Sequence, residues 1–236
     1  MDGQHSGNER RRFLRAVASG ATLVAAGCAT PRGGTRDPPE PGAAEAGGEI
    51  SPGEDLMREH GVLARILLVY EEYARRLDAR EQAPVEVLDG SAGIVRRFIE
   101  DYHERLEEQF LFPRFEAAGR ERELVATLRA QHARGRALTD RIVALGPKAA
   151  AERAPLAQAL RSFSRMYRPH AAREDTVLFP AFRELVGAAA YRELGEQFEE
   201  REHALLGEHG FADAVREIAG LERALGIHDL ARFTPG

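Results

Sequence analysis

The 236-residue chain has a single cysteine, Cys28. One thiol closes no internal disulfide and builds no thiolate cluster, so metal ligands have to come from histidine and carboxylate. No long apolar run is present either: the uncharged stretch from Ala16 to Gly27 falls short of the roughly 20 residues a stable membrane span needs. Basic residues form no stripe but are scattered among acidic neighbours, and the formal net charge is -5, which excludes a nucleic-acid role. No G-x-G-x-x-G fingerprint is present, so the chain carries no built-in nucleotide electron source. β-Branched clusters are also scarce after Asp55, which argues against a sheet.

What is abundant there is Ala, Leu, Arg and Glu, punctuated by Pro84, Pro113, Pro147, Pro155, Pro169 and Pro180. This pattern predicts long helices over 53–79, 84–117, 120–145, 153–186 and 190–224. Apolar residues recur at steps of three and four along each. Leu56, His60, Leu63, Leu67 and Tyr70 line the first helix; Val95, Ile99, His103, Leu106 and Phe110 line the second. Val125, Leu128 and His132 begin the third stripe, which passes over Gly135 to Thr139 and Ile142; Phe163, Met166, His170, Glu174 and Val177 form the fourth. The predicted fold is all-α, an up-down-up-down four-helix bundle with an additional C-terminal helix.

Each of the four helices thus places one histidine in its apolar stripe. A lone histidine there is ordinarily a packing residue. Four in successive helices each carry a desolvation cost, for which a shared metal is the simplest compensation. His103 and Glu107 are four residues apart, as are His170 and Glu174, so each pair stacks on one helix face. Imidazole and carboxylate suit iron, manganese or zinc, and a bridging glutamate accommodates two ions. Phe110-Leu111-Phe112-Pro113 and Val177-Leu178-Phe179-Pro180 follow the two histidines at the same offset, so the halves read as related helix pairs. The aromatic residues are expected to wall the pocket, and Pro113 and Pro180 to bend or end their helices.

Asp55 to about Glu184 resembles the hemerythrin-like cation-binding family, four-helix bundles that hold a nonheme di-iron centre. The resemblance implies two irons, with His60, His103, Glu107, His132, His170 and Glu174 as ligands and dioxygen or a related small molecule as partner. Oxygen-carrying members have a second histidine in the third helix where this chain has Arg136, and take their last carboxylate five residues after its histidine, which selects Asp175. A regular α-helix favours Glu174, since a fifth residue points about 140° away, while a local bulge would bring Asp175 inward. Glu104 is a further candidate as ligand or imidazole acceptor, and Arg136 is placed to pair with Glu104 or Asp175. Tyr70, Tyr102 and Tyr167 read as core residues. His203 is a weaker candidate ligand and His209 weaker still, both in a polar fifth helix.

Before the bundle, Arg10-Arg11-Arg12-Phe13-Leu14 resembles a twin-arginine export motif. Val24-Ala25-Ala26-Gly27-Cys28 resembles a lipoprotein cleavage box, with Ala25 where leucine is usual. The resulting organisation is a signal segment at 1–27, a proline-rich flexible tether at 28–52 from a lipidated Cys28, and a helical domain at 53–230. Removal of 1–27 takes away four arginines and two acids, leaving a net charge of -7. The mature protein would sit on the periplasmic side of a bacterial membrane, held by lipid.

The function expected from these readings is a di-iron protein that binds or senses dioxygen or a related molecule at the cell envelope. One alternative is an oxidoreductase that reduces peroxide, dioxygen or nitric oxide with electrons from a partner protein. A sensor coupled to a signalling protein and an iron or zinc buffering module are further alternatives.

Overall fold

The computed structural model describes residues 50–235. The run expected to be an export motif, Cys28 and most of the expected tether lie outside the described residues. Helix α1 (Pro52–Ala79) starts where Ser51 accepts from the Glu54 backbone N–H at 3.4 Å, with Pro52 in the first turn and Glu54 and Asp55 against the positive helix end. Its expected stripe of Leu56, His60, Leu63, Leu67 and Tyr70 is buried throughout.

Helix α2 (85–118) is one continuous rod, but it changes winding twice. π-Helical turns occupy Val95–His103 and Glu107–Leu111. Helix α3 (Arg122–Leu145) is regular. Helix α4 (153–186) runs through Arg153–Arg173, a π turn at Glu174–Leu178, and the first part of the helical segment Phe179–Leu206. Gly187, at φ 75° and ψ 162°, breaks that segment, and its remainder is α5 (188–206).

Pro113 and Pro180 therefore do not end their helices. Each sits just after a π turn, in which Phe112 N–H bonds Glu107 C=O and Phe179 N–H bonds Glu174 C=O. The wider turn accommodates a residue that lacks an N–H and would otherwise crowd the preceding carbonyl. It also shifts the buried face by one position. Leu111 and Leu178 are fully buried, whereas Phe110 is only partly buried and Val177 is exposed, contrary to the regular stripes read from sequence.

The predicted helix at 190–224 is likewise two. Gly207, with φ 82°, ends α5, and α6 (Gly210–Leu225) begins three residues later. Buried Glu202 accepts from the Phe211 N–H at 2.8 Å and so satisfies one free donor at the start of α6.

Around the bundle, α1 packs between α2 and α4, and α3 packs between the same two on the opposite side. Helix α6 covers α1 and the start of α2 from outside, pinned by an Arg65 ion pair to Glu222 and by Arg76 donating to the Leu225 carbonyl at 2.6 Å. Helix α5 is tied to the start of α1 through the Gly53 N–H, which donates to the Tyr191 hydroxyl at 2.8 Å. The fold is thus the expected all-α bundle with added C-terminal helices. Among the described residues, no helix is long and apolar enough to cross a membrane.

Candidate metal centre

The bundle brings His60 of α1, His103 of α2, His132 of α3 and His170 of α4 to one level, each at most 5 % exposed. They form two pairs. His60 and His103 face each other through their Nε2 atoms at 3.0 Å, and the rings of His132 and His170 lie 5.0 Å apart. The Glu107 carboxylate lies 3.8 Å from His103 Nε2 and 3.4 Å from His132 Nε2. Glu174 lies 3.4 Å from His60 Nε2 and 3.1 Å from His170 Nε2. Each glutamate therefore touches one histidine of each pair.

The outward nitrogen of every ring has its own partner. His60 Nδ1 lies 2.7 Å from Asp175, His103 Nδ1 2.7 Å from Glu59, His132 Nδ1 3.1 Å from Glu108, and His170 Nδ1 2.9 Å from the Gln131 side-chain oxygen. With a side-chain oxygen beside all four Nδ1 atoms, each ring can keep its hydrogen there and, when neutral, turn the Nε2 lone pair inward. That is the tautomer a metal ligand requires.

The arrangement has a local pseudo-twofold axis. It exchanges α1 with α3 and α2 with α4, matching His60 to His132, His103 to His170, Glu107 to Glu174, Asp175 to Glu108 and Glu59 to Gln131. Phe179 stacks on His60 at 5.5 Å and Phe112 on His132 at 5.4 Å, so the repeated Leu-Phe-Pro words supply matching aromatic walls. Both π turns begin at the inward glutamates.

Burial would lower the pKa of His60, but the hydrogen bond to Asp175 and the nearby Glu174 carboxylate raise it to about 10. His132 reaches about 10 in the same way, through Glu107 and Glu108. Burial and the charge on His132 push His170 down to about 3, and burial together with the other three histidines depresses His103. Burial, reinforced by the Glu174 carboxylate, raises Glu107 to about 7.

Both oxygens of Glu107 and of Glu174 are buried without a hydrogen-bond donor, as is Nε2 of His132. Buried carboxylate oxygens left without donors are costly and call for a compensating partner. Divalent cations between the histidine pairs would satisfy these atoms. Two groups have donor atoms close enough to hold an ion: His60, His103 and Glu107, and Glu107, His132, His170 and Glu174. Glu107 is common to both. A third group, Glu104, Glu108 and His132, already has a cation in Arg136, whose guanidinium lies 2.7 Å from Glu104 and 2.8 Å from Glu108.

A family model described as the hemerythrin HHE cation binding domain matches residues 51–182. The chain belongs to this family. The two histidine and glutamate clusters fit a di-iron centre of the hemerythrin type. The chain is also 47% identical, over 236 residues, to uncharacterised proteins of Mycobacterium bovis and Mycobacterium tuberculosis. The similarity covers 96% of this chain and 91% of each relative, so it takes in the C-terminal helices beyond the family domain. No solved structure matches this hemerythrin-family chain.

Of the candidates read from sequence, His60, His103, Glu107, His132, His170 and Glu174 converge. Glu174 and Asp175 separate: the π turn starts at Glu174, after the four-residue step from His170, so Glu174 faces inward and Asp175 holds His60 from outside. Glu104 points to Tyr167, whose hydroxyl donates to it at 2.6 Å, and to Arg136. Tyr167 is thus more than a packing residue, and Arg136 pairs with Glu104 and Glu108, not with Asp175. His203 joins none of the three groups. Glu59, Gln131 and Glu108 escaped the sequence reading as imidazole partners. Their signal was adjacency, since Glu59 and Gln131 precede His60 and His132, and Glu108 follows Glu107 as Asp175 follows Glu174.

Proposed function

We propose that the protein holds two iron ions and uses them to bind dioxygen or a related small molecule. His60 and His103 would ligate one ion, His132 and His170 the other, with Glu107 and Glu174 bridging. The observation that carries this reading is the position of each glutamate between one histidine of each pair. A bound iron pair supplies redox chemistry and coordination positions for a small ligand. Two imidazoles and a share of two carboxylates are fewer donors than six-coordinate iron takes, and Arg136 occupies the place of the third-helix histidine found in oxygen carriers. Phe112 and Phe179 limit water beside His132 and His60, and the four Nδ1 partners hold the rings in place.

A second reading, reduction of peroxide, dioxygen or nitric oxide with electrons from an external donor, is favoured by one feature. A polar chain leads from His132 through Glu108 to Arg136, whose side chain is 23% exposed, and on to Glu104 and Tyr167. In either case the resemblance of Arg10-Arg11-Arg12-Phe13-Leu14 to an export motif, together with Cys28, supports a location at the outer face of the membrane, which fractionation of cells carrying Cys28→Ser would test.

Stopped-flow absorption of the reduced, iron-loaded protein mixed with dioxygen separates the two. A band that forms and disappears on degassing supports binding. Continuous oxygen consumption with a chemical reductant supports turnover, and no spectral response to dioxygen or nitric oxide contradicts both.

A further inference from the structure

The pseudo-twofold axis is broken among the groups that surround the histidines. In the His60/His103 half, both outward nitrogens face carboxylates, Asp175 and Glu59, each at 2.7 Å. In the His132/His170 half, His132 faces Glu108, but His170 faces the neutral amide of Gln131. Arg136, whose guanidinium pairs with both Glu108 and Glu104, and Glu104 itself add one charge of each sign beside His132. Their counterparts across the axis, Ala64 and Ala171, carry none.

A carboxylate accepting from Nδ1–H strengthens Nε2 as a donor more than an amide oxygen does, because the charged hydrogen bond polarises the ring further. The more negative surroundings also attract a divalent cation more strongly. We propose that the two positions fill unequally: a half-loaded chain carries its cation at His60/His103, and the exchange of Glu59 for Gln131 across the axis sets the order. This rests on the two-cation reading above. It assigns Glu59 and Gln131 as positioning residues that act through His103 and His170 and do not touch the metal.

The test is titration of the metal-free protein with cobalt(II), followed by visible absorption and calorimetry. Two resolved steps are expected, with His103→Ala removing the tighter and His170→Ala the weaker. Glu59→Gln, close to isosteric at a buried position, should weaken the tighter step by about 10-fold or more and leave the other in place. Gln131→Glu, at a partly exposed position, should tighten the weaker step by a similar factor. Helical content and thermal melting of the metal-free variants check that they fold.

Two steps of equal affinity in the wild type overturn the proposal, as does an effect of Glu59→Gln confined to the weaker step. Saturation at a single cobalt per chain overturns the two-cation reading itself and the proposal with it. That outcome is distinguishable because it appears in the stoichiometry, whereas failure of the proposal alone appears only in the spacing of two steps.

Discussion

His60 and His132 occupy equivalent places across the pseudo-twofold axis, and each is held from outside by an acidic residue directly after an inward glutamate: Asp175 at 2.7 Å and Glu108 at 3.1 Å. The acidic dipeptides Glu107-Glu108 and Glu174-Asp175 therefore divide their labour. The first member faces the centre, and the second fixes the ring of a histidine on a neighbouring helix.

This division predicts different outcomes for neighbouring substitutions. Glu174→Ala should reduce retained metal below two ions per chain after gel filtration. Asp175→Ala should keep the stoichiometry at saturation but weaken binding about 10- to 100-fold, as loss of an outer partner does. Equal loss of stoichiometry in both variants would place Asp175 on the metal.

The same logic separates Glu107 from Glu104. Glu107 belongs to both ligand groups, so Glu107→Ala should impair retention of both ions. Glu104→Ala removes a carboxylate bonded to Tyr167 and paired with Arg136, and should leave both ions bound by elemental analysis.

In the metal-free protein, His60 and His132 have pKa values of about 10 against an ordinary 6.5, because their carboxylate partners outweigh burial. The folded chain keeps both protons where the unfolded chain has released them. The stability they contribute is complete below pH 6.5 and is lost as pH rises through about 10. Glu107, raised from 4.5 to about 7 mainly by burial, acts in the same sense over its own range. The urea midpoint of the metal-free protein should fall from about pH 7 to 10, and metal loading near neutral pH should release about two protons per chain, read with an indicator in weak buffer. A midpoint that rises over this range would contradict the assignment.

Gly135 faces Tyr167 so closely that a Cβ there would lie 1.9 Å from the hydroxyl oxygen and 2.7 Å from the ring carbon bearing it. Gly135→Ala should displace Tyr167 from Glu104 and destabilise the domain by about 1–3 kcal/mol, the usual range for overpacking. Thermal melting measures the loss. An unchanged melting temperature would show that Tyr167 moves aside without cost.

The helix stripes and the four inward histidines were legible in the sequence because period and residue type suffice to place them. The place where the stripe slips was not. Phe110 and Val177 satisfy a regular helix, yet the π turns hand their buried positions to Leu111 and Leu178. Pro113 and Pro180 hinted at a distortion without giving its form. The outer partners were hidden for another reason: Glu59 and Gln131 orient rings on other helices, His103 and His170, so their roles exist only once the helices are packed. The break at Gly207, which the helix expected over 190–224 runs through, had a signal in two glycines three residues apart that was not read as a break.

The central claim is that Glu107 and Glu174 each join two histidine-bound ions. Elemental analysis of protein purified with iron, combined with Mössbauer spectroscopy of the same sample, tests it most directly. About two irons per chain that are magnetically coupled are expected from bridging carboxylates. One iron per chain, or two uncoupled irons, would contradict the account.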